Sequence, residues 1–457
     1  MIAARAAKTA VIQHMLARSD MSHSGTALSM RAASNRLMRA KQPEWGKKNV
    51  VQKLIILSGV ALVGIMPGAS FAQAPAAGGG GKPFNINVSA EVRHDSNISR
   101  TSAATAALRG LSRSDQRFSP SVNLSLTKPF GPNNLTVSAS AGYDFHRHND
   151  RLDRERIQGA AGLALNLGVC APTFNGSISR RQSELGEVAD AFGNVQTVGN
   201  AETSWNVGGA VSCGKSFGLR PTAGISYQDN SNSNAQRRGT DKHITTYQGG
   251  LGYVHPSIGD IQLFAQQRDL RFDDKTLQRG NRQRSYGVSF TRNLGARLTG
   301  NASINWTNVK PLDPNVRSFN GVNWSGNLSL KATPRIQVQA SLGKSITSSL
   351  AVDSNYNIST NYGISASYAV TPLINFNTGY SHTKRRFEGN LGFFAPGAAP
   401  VNLLTNDKKN SVYASVDYLF SPKLKFILNG GHDTRSANAA FYDYKNNYVG
   451  LTAELSL

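Results

Sequence analysis

The residues best suited to chemistry in this sequence are arginines that recur among Asn, Gln and Ser in segments of alternating polarity. In an extended segment every second side chain shares a face. Counting by twos places these arginines on the polar face: Arg93, Arg156, Arg181, Arg268, Arg297 and Arg385. Guanidinium groups bind anions by charge and hydrogen bonding, so they favour anionic or sugar-like solutes. The alternative is that they pair with Glu91, Asp144 and Glu454 and only stiffen the wall.

Catalytic and metal-binding motifs are absent from the sequence. It contains no nucleophile elbow, no His-Glu-x-x-His and no phosphate-binding loop, and its 9 histidines are scattered. Gly78 to Gly81 precede no helix that could receive a phosphate. We therefore predict a protein that is not an enzyme and that needs no cofactor and no metal.

The two cysteines, Cys170 and Cys213, are candidates for a disulfide. Both follow a segment predicted to direct export, and an oxidising compartment permits the bond. The alternative is two unpaired or buried thiols. No His or acidic cluster adjoins either cysteine, so a bond between them would be structural rather than redox-active or metal-binding.

A secretory signal is predicted within residues 1–72. The only long apolar run, residues 54–66, follows three lysines and precedes a small-x-small pattern at Ser70 and Ala72. About 45 residues precede the basic segment, more than signal peptides of 15–30 residues contain. Either a start codon assigned too early or a genuine extended signal explains them. Residues 73–83 then form a flexible Gly/Pro/Ala-rich leader.

Strand-like alternation runs through the rest of the chain, residues 84–457. In residues 135–146, for example, Leu135, Val137 and Ala139 alternate with polar or small residues, and residues 336–343 and 357–370 repeat the pattern. These runs are about 10–14 residues long, whereas sandwich strands average 5–6 and strands that cross an outer membrane need 9–11. The length favours a membrane barrel over a soluble sandwich.

The connections alternate between tight and long. Turn residues mark the tight ones: Gly131 to Asn134, Ala171-Pro172, Lys215 to Pro221, His255 to Asp260, Asn293 to Gly295, Thr333-Pro334, Thr371-Pro372 and Ser421-Pro422. The long polar ones include residues 182–201, 229–241, 269–281 and 386–409. Short periplasmic turns and long extracellular loops produce this asymmetry. The predicted fold is an all-β, antiparallel, up-and-down transmembrane β-barrel of about 18 strands in the outer membrane of a Gram-negative bacterium, with both ends in the periplasm.

Aromatic residues predict where the membrane boundaries lie. Tyr418 and Phe420 precede a tight turn, whereas Tyr143, Phe145 and Tyr380 are expected at the opposite strand ends. Two girdles of this kind border the apolar band of an outer-membrane barrel. Such a barrel contacts outer-membrane lipid and lipopolysaccharide.

The charge is strongly basic, with a formal net charge of +23. Residues 1–72 hold 10 of the 50 Lys and Arg and 2 of the 27 Asp and Glu, so the remainder keeps about +15. The basic residues do not gather in one domain or recognition helix, which argues against nucleic-acid binding. Two explanations of this charge are equally good, a set of solvated loops and a functional role.

The first predicted strand and the residues directly after it resemble a known protein family. Residues 91–98 resemble the opening aromatic-Asp-x-Asn-Ile signature of the putative β-barrel porin 2 family, with Asp95, Asn97 and Ile98 in the matching positions and His94 in place of the aromatic residue. The chain ends in Leu457 rather than the aromatic residue common in signals for the barrel assembly machinery. Tyr448, Leu451 and Leu455 retain the hydrophobic spacing of such a signal.

The resemblance implies an outer-membrane channel that exports an exopolysaccharide together with a periplasmic polysaccharide export protein. Two alternatives remain. One is a general or anion-preferring diffusion porin for small anionic solutes. The other is a structural or adhesive barrel that acts through its extracellular loops.

Overall fold

A computed structural model of the chain describes residues 84–187, 199–274, 279–295, 297–348, 354–389 and 404–457. These residues form one antiparallel sheet of 18 strands, each paired with its neighbours in sequence. The first strand also pairs with the last, from Asn87 opposite Ser456 to Asp95 opposite Tyr448. The sheet is therefore a closed up-and-down β-barrel, as the alternation and turn spacing predict.

The strands are 11 to 16 residues long. The first nine are β1 Phe84–Asp95, β2 Asp115–Phe130, β3 Asn133–His146, β4 Arg154–Ala164, β5 Cys170–Gln182, β6 Ala201–Cys213, β7 Gly218–Asn232, β8 Lys242–His255 and β9 Gly259–Phe272. The others are β10 Gly280–Leu294, β11 Leu298–Pro311, β12 Phe319–Lys331, β13 Ile336–Thr347, β14 Tyr356–Ala369, β15 Ile374–Glu388, β16 Asn406–Ser421, β17 Leu424–Ala437 and β18 Tyr444–Ser456. In the described parts of the long connections lie the helix α1 Ala103–Leu108 and short 3-10 helices at Asp150–Leu152, Leu185–Glu187, Ala235–Thr240 and Ala440–Tyr442.

Six of the eight predicted tight turns lie where the sequence places them, and two are displaced. Ala171 and Pro172 lie inside β5, and the turn before them occupies residues 165–169. Pro221 likewise lies inside β7, after a turn at residues 214–217. Pro172 and Pro221 are near the strand ends, where a proline's missing N–H costs little. A proline was therefore a misleading turn marker at both places.

The outer face of the barrel is apolar in its middle and polar towards the long connections. Tyr286, Trp306 and Tyr380 are among the exposed aromatic residues on this face. Polar residues follow them towards the loops, such as His382 and Lys384 beyond Tyr380 on β15. The prediction that Tyr380 ends its strand is wrong, because β15 continues to Glu388. The strands extend beyond the apolar band on the loop side.

The buried core lies at the loop ends of the strands. Among the residues that the structure describes, the hydrophobic side chains that are almost completely buried are in the long connections or within the strand ends that adjoin them. One cluster, for example, joins Leu111, Leu152 and Leu185 from three successive long connections. The described loop segments therefore pack against one another and against the upper barrel wall, which leaves the lower lumen free of a packed core.

The predicted signal peptide and N-terminal extension, residues 1–72, and the leader, residues 73–83, lie outside the described residues. Parts of the long loops do so too. Among the described residues, no helix has the length and hydrophobicity of a membrane span.

Candidate functional site

The lumen wall of the barrel carries a belt of neutral polar side chains. Strand register places them opposite one another on the face that alternates with the exposed apolar residues. Every strand contributes at least one member to this neutral belt: Ser89, Ser121, Ser140, Gln158, Ser177, Asn206, Ser226, Gln248, Gln266, Ser289, Ser303, Ser325, Ser341, Ser365, Ser381, Ser415, Asn429 and Thr452. Hydroxyl and amide groups both donate and accept hydrogen bonds without carrying charge. The belt itself is hydrophilic and neutral, and ion-paired carboxylates adjoin it at the seam, where Glu454 is opposite Ser89 and Glu91 is opposite Thr452.

Five of the six predicted lumen arginines lie above this belt, near the loop ends of their strands. Arg93, Arg156, Arg181, Arg268 and Arg385 all have the inward register. Arg297 lies apart from them, exposed in the tight turn between β10 and β11 beside Lys331 and Arg335 at the opposite rim. Alternation in the sequence predicts on which face of a strand a residue lies. The topology shows which rim of the barrel that residue is near.

The most buried charges of the wall centre on Asp407. Arg385 donates hydrogen bonds from Nε and Nη2 to its two carboxylate oxygens, at 2.9 and 2.5 Å. Arg435 Nε donates to Oδ2 at 2.8 Å. The side chains of Asp407 and Arg435 are fully buried. Buried charges persist only when they are paired and hydrogen-bonded, and one carboxylate here serves two guanidinium groups.

Neighbouring arginines form ion pairs with carboxylates, as expected if they stiffen the wall. Arg93 forms a bidentate contact with Asp95, with both distances 2.9 Å. Arg156 lies 3.7 Å from Asp144. Glu91 accepts from Arg117, and Glu454 binds Lys425 near the tight turns. On this side of the lumen the positive charges are therefore balanced by carboxylates.

Arg181 and Arg268 lie on another part of the wall, formed by β5 to β10. Arg181 is opposite Glu202 in the register, and Arg268 is opposite Thr246 and Gln283. Within the part of the chain that the structure describes, neither arginine forms an ion pair. The positive charge of the lumen is consequently greater on this side.

The residues of the family signature join the first strand to the last. Asp95 accepts from Asn446 Nδ2 at 2.8 Å, and Asn446 Oδ1 accepts from the backbone N–H of Asn97 at 2.8 Å. Asn97 also donates to the Lys445 carbonyl. The Ile98 N–H donates to the Arg113 carbonyl. The signature therefore closes the loop end of the barrel seam, and its residues do not line the open lumen.

Two long connections meet inside the mouth of the barrel. Gly186, just beyond β5, accepts a hydrogen bond from Arg435 on β17, six strands away around the wall. Arg109, at the end of α1, donates to the Leu185 carbonyl at 3.0 Å. Arg100 binds Glu184 at 2.8 Å, and this carboxylate raises the pKa of Arg100 above its ordinary value. These contacts hold residues 96–114 and 183–187, here called the inner loops, across the mouth.

The cysteines form a disulfide between β5 and β6. Cys170 and Cys213 are directly opposite each other in the register, at the ends near the tight turns. The bond joins two strands already paired along their length. It is remote from the arginines and from the inner loops.

Several residues at the site were missed by the sequence analysis. Asp407 lies in a segment read as loop, although β16 begins at Asn406. Arg435 and Tyr413 have the inward parity, so extending the count by twos through β16 and β17 would have found them. Asn446 carried no signal, since its partners are about 350 residues away.

No group of three or more His, Cys, Asp or Glu residues suited to a metal ion occurs among the described residues. The described lumen wall offers hydrogen bonds and charge to a passing solute.

Comparisons with known proteins give the following. No curated protein matches the sequence. Among solved structures, OccK2 (OpdF) of Pseudomonas aeruginosa is similar, with 14% identity, 82% of this chain and 98% of that chain covered, and a TM-score of 0.43. A BenF-like porin of Pseudomonas fluorescens Pf-5 has 14% identity, coverage of 82% and 99%, and a TM-score of 0.41.

The family comparison covers most of the chain. The sequence model described as putative beta-barrel porin 2 matches residues 83–457, which is the whole of the barrel. The resemblance carried by Asp95, Asn97 and Ile98 is thereby confirmed. The chain belongs to the putative beta-barrel porin 2 family and is an outer-membrane β-barrel porin.

Proposed function

We propose that this porin is the outer-membrane conduit for a secreted polysaccharide. The neutral belt is the observation that carries the proposal. It offers a passing polymer neutral hydrogen-bonding groups on all 18 strands. A conduit must bind its solute well enough to admit it and weakly enough to release it. Dispersed hydroxyl and amide groups meet both requirements for a sugar chain.

The inner loops support a selective channel rather than an open pore. They cross the mouth and are held by the Arg100–Glu184 ion pair and by hydrogen bonds from buried Arg109 and Arg435. A polymer leaving the cell would therefore have to displace them or pass beside them. A periplasmic polysaccharide export protein would meet the tight-turn rim, where Arg297, Lys331 and Arg335 are grouped around a cavity of about 480 Å³.

Deletion of the gene tests this proposal. We expect the surface polysaccharide to be lost and to return on complementation, while uptake of small solutes stays unchanged, because other porins serve small solutes. Surface polymer should be quantified by sugar analysis of washed cells. A deletion strain with normal surface polymer would contradict export.

An anion-preferring diffusion porin is the second candidate, favoured by Arg181 and Arg268. Guanidinium groups without carboxylate partners attract anions, whereas paired ones contribute little field. Planar-bilayer recordings distinguish the candidates. A constitutively open, anion-selective pore would support the porin, and a pore that stays closed until the inner loops are removed would support the conduit.

A further inference from the structure

One aromatic residue stands out on the lumen face of β16. Tyr413 has the inward register and is 40% exposed, whereas most large aromatic residues of the barrel face outward; Phe264 and Tyr448 share its inward register but are less exposed. The ring lies over Gly379 on the neighbouring strand. A Cβ added to Gly379, directly opposite on β15, would lie 2.5 Å from the Tyr413 ring. Only glycine leaves room for the ring there, so one face is seated on backbone and the other is turned to the lumen.

The wall beside Tyr413 is a groove of about 430 Å³ that extends from β16 to β11. This volume is within the range of ligand pockets, about 300–1,000 Å³. No charged residue lines the groove. Its lumen-facing lining consists of hydroxyl and amide side chains beside the tyrosine: Thr299, Asn301, Asn327, Ser329, Gln339, Ser341, Ser365 and Ser381.

Parts of this lining have hydrogen-bonding capacity to spare. Asn327 donates to Asn301 at 3.0 Å, which orients the two amides. Ser341 Oγ lies above Gly363, where a Cβ would be only 2.7 Å from it. A second glycine thus keeps the groove open at its centre. Each amide and hydroxyl still has donors or acceptors available to a solute in the groove.

We propose that Tyr413 and this groove form a binding subsite for neutral sugar residues of the passing polymer. A pyranose ring has an apolar face of C–H groups and an equatorial rim of hydroxyls. The exposed tyrosine face suits the first through hydrophobic and π contact, and the amide and hydroxyl lining suits the second. An anionic solute would gain nothing from a site without charge. The inference rests on the proposed function, because it specifies which part of the conduit touches the polymer.

Binding by the purified full-length porin tests the subsite. The probes are cellohexaose and maltohexaose, which are neutral and differ in linkage, measured by titration calorimetry in detergent. We expect one or both to bind the wild type. Tyr413→Ala should lower the affinity at least about tenfold, the loss of roughly one aromatic contact. Tyr413→Phe should bind within about twofold of the wild type, because the ring remains.

Two glycine variants distinguish displacement of the Tyr413 ring from a general disturbance of the barrel wall. Gly379→Ala should displace the Tyr413 ring and weaken binding as Tyr413→Ala does. Gly343→Ala, also on the lumen face, is the control, since its added Cβ would make ordinary contacts of 3.5 Å or more. Heat-modified mobility on gels confirms that each variant is folded. Wild-type affinity in both Tyr413→Ala and Gly379→Ala would overturn the subsite, as would failure of the wild type to bind either probe.

A fluorescent variant gives a second measurement. Tyr413→Trp introduces an indole into the lumen, whereas Trp205, Trp306 and Trp324 have the outward register. Addition of a bound probe should shift its emission and protect it from iodide, with the wild type as background. An unchanged spectrum at saturating probe would count against the subsite. If the porin binds sugar but deletion of its gene leaves the surface polymer intact, export is refuted and the subsite is retained. Failure of the export proposal and failure of the subsite proposal are therefore distinguishable.

Discussion

At the scale of single residues, the pairing of charges decides what each arginine does. Arg385 and Arg435 share one buried carboxylate, Asp407, and so serve the wall and the inner loops. Arg181 and Arg268 have the same chemistry and the same inward register, but no carboxylate pairs with either among the described residues. Residue type alone does not separate the two roles. The distance to the nearest carboxylate does.

Asp407→Asn should therefore be strongly destabilising. The change leaves two buried guanidinium groups without their counter-charge, and removal of one partner from a buried ion pair costs about 3–5 kcal/mol. Urea unfolding in lipid vesicles, followed by tryptophan fluorescence, measures the change in the free energy of unfolding. Glu155→Gln is the control, because its pair with Arg180 is partly exposed and should contribute less than about 1 kcal/mol. Equal effects of the two variants would contradict this assignment.

At the scale of elements, the strands and the inner loops are held by different means. Each strand satisfies its backbone hydrogen bonds with two neighbours, and barrel closure leaves no edge. The inner loops depend on side-chain contacts such as Arg109 with the Leu185 carbonyl and the cluster of Leu111, Leu152 and Leu185. The helix α1 has six residues, so its stability comes from these contacts rather than from its length.

The disulfide should stabilise the barrel without being needed for its assembly. Cys170 and Cys213 close a segment of 43 residues, and a bond of this kind contributes about 2–4 kcal/mol, mainly by restricting the unfolded chain. The double variant Cys170→Ser/Cys213→Ser should fold and reach the membrane but unfold at lower urea concentration. Maleimide labelling of the unfolded wild type checks the bond itself, and we expect no labelling until a reductant is added. Labelling without reductant would show that the thiols are free.

At the scale of the whole molecule, the lumen has three levels. The inner loops and buried ion pairs occupy the outer mouth, the neutral belt occupies the middle, and basic residues occupy the tight-turn rim. The wall is also asymmetric, with balanced charges around Asp407 and unbalanced ones at Arg181 and Arg268. A solute therefore meets charge at both ends and mainly neutral side chains between them, apart from the ion-paired Glu91 and Glu454 at the seam.

The asymmetry predicts an anion preference in the purified porin. In bilayers under a KCl gradient, the porin without its inner loops should give a reversal potential that indicates easier passage of Cl⁻ than of K⁺. Arg181→Gln/Arg268→Gln should move the permeability ratio towards unity, because these arginines supply the unbalanced field. Arg282→Gln/Arg284→Gln is the matched control, since both residues have the outward register. A ratio that changes equally in the two double variants would place the selectivity elsewhere.

Local patterns in the sequence were enough to predict the barrel, its strands, about 18 in number, and the face on which strand residues lie. The reason is that a period of two and the turn residues are local properties of the chain. The same parity put Arg93 and Arg385 on the lumen wall, and the strand positions brought Cys170 opposite Cys213.

The tertiary structure alone shows which side chains meet. Asp407 with Arg435, Gly186 with Arg435, and Asn446 with Asp95 join residues from distant segments, and no pattern along one strand contains the curvature and loop paths that bring them together. The contact of Tyr413 with Gly379 is also decided by the tertiary structure, because the ring fits there only where the neighbouring strand has a glycine in register.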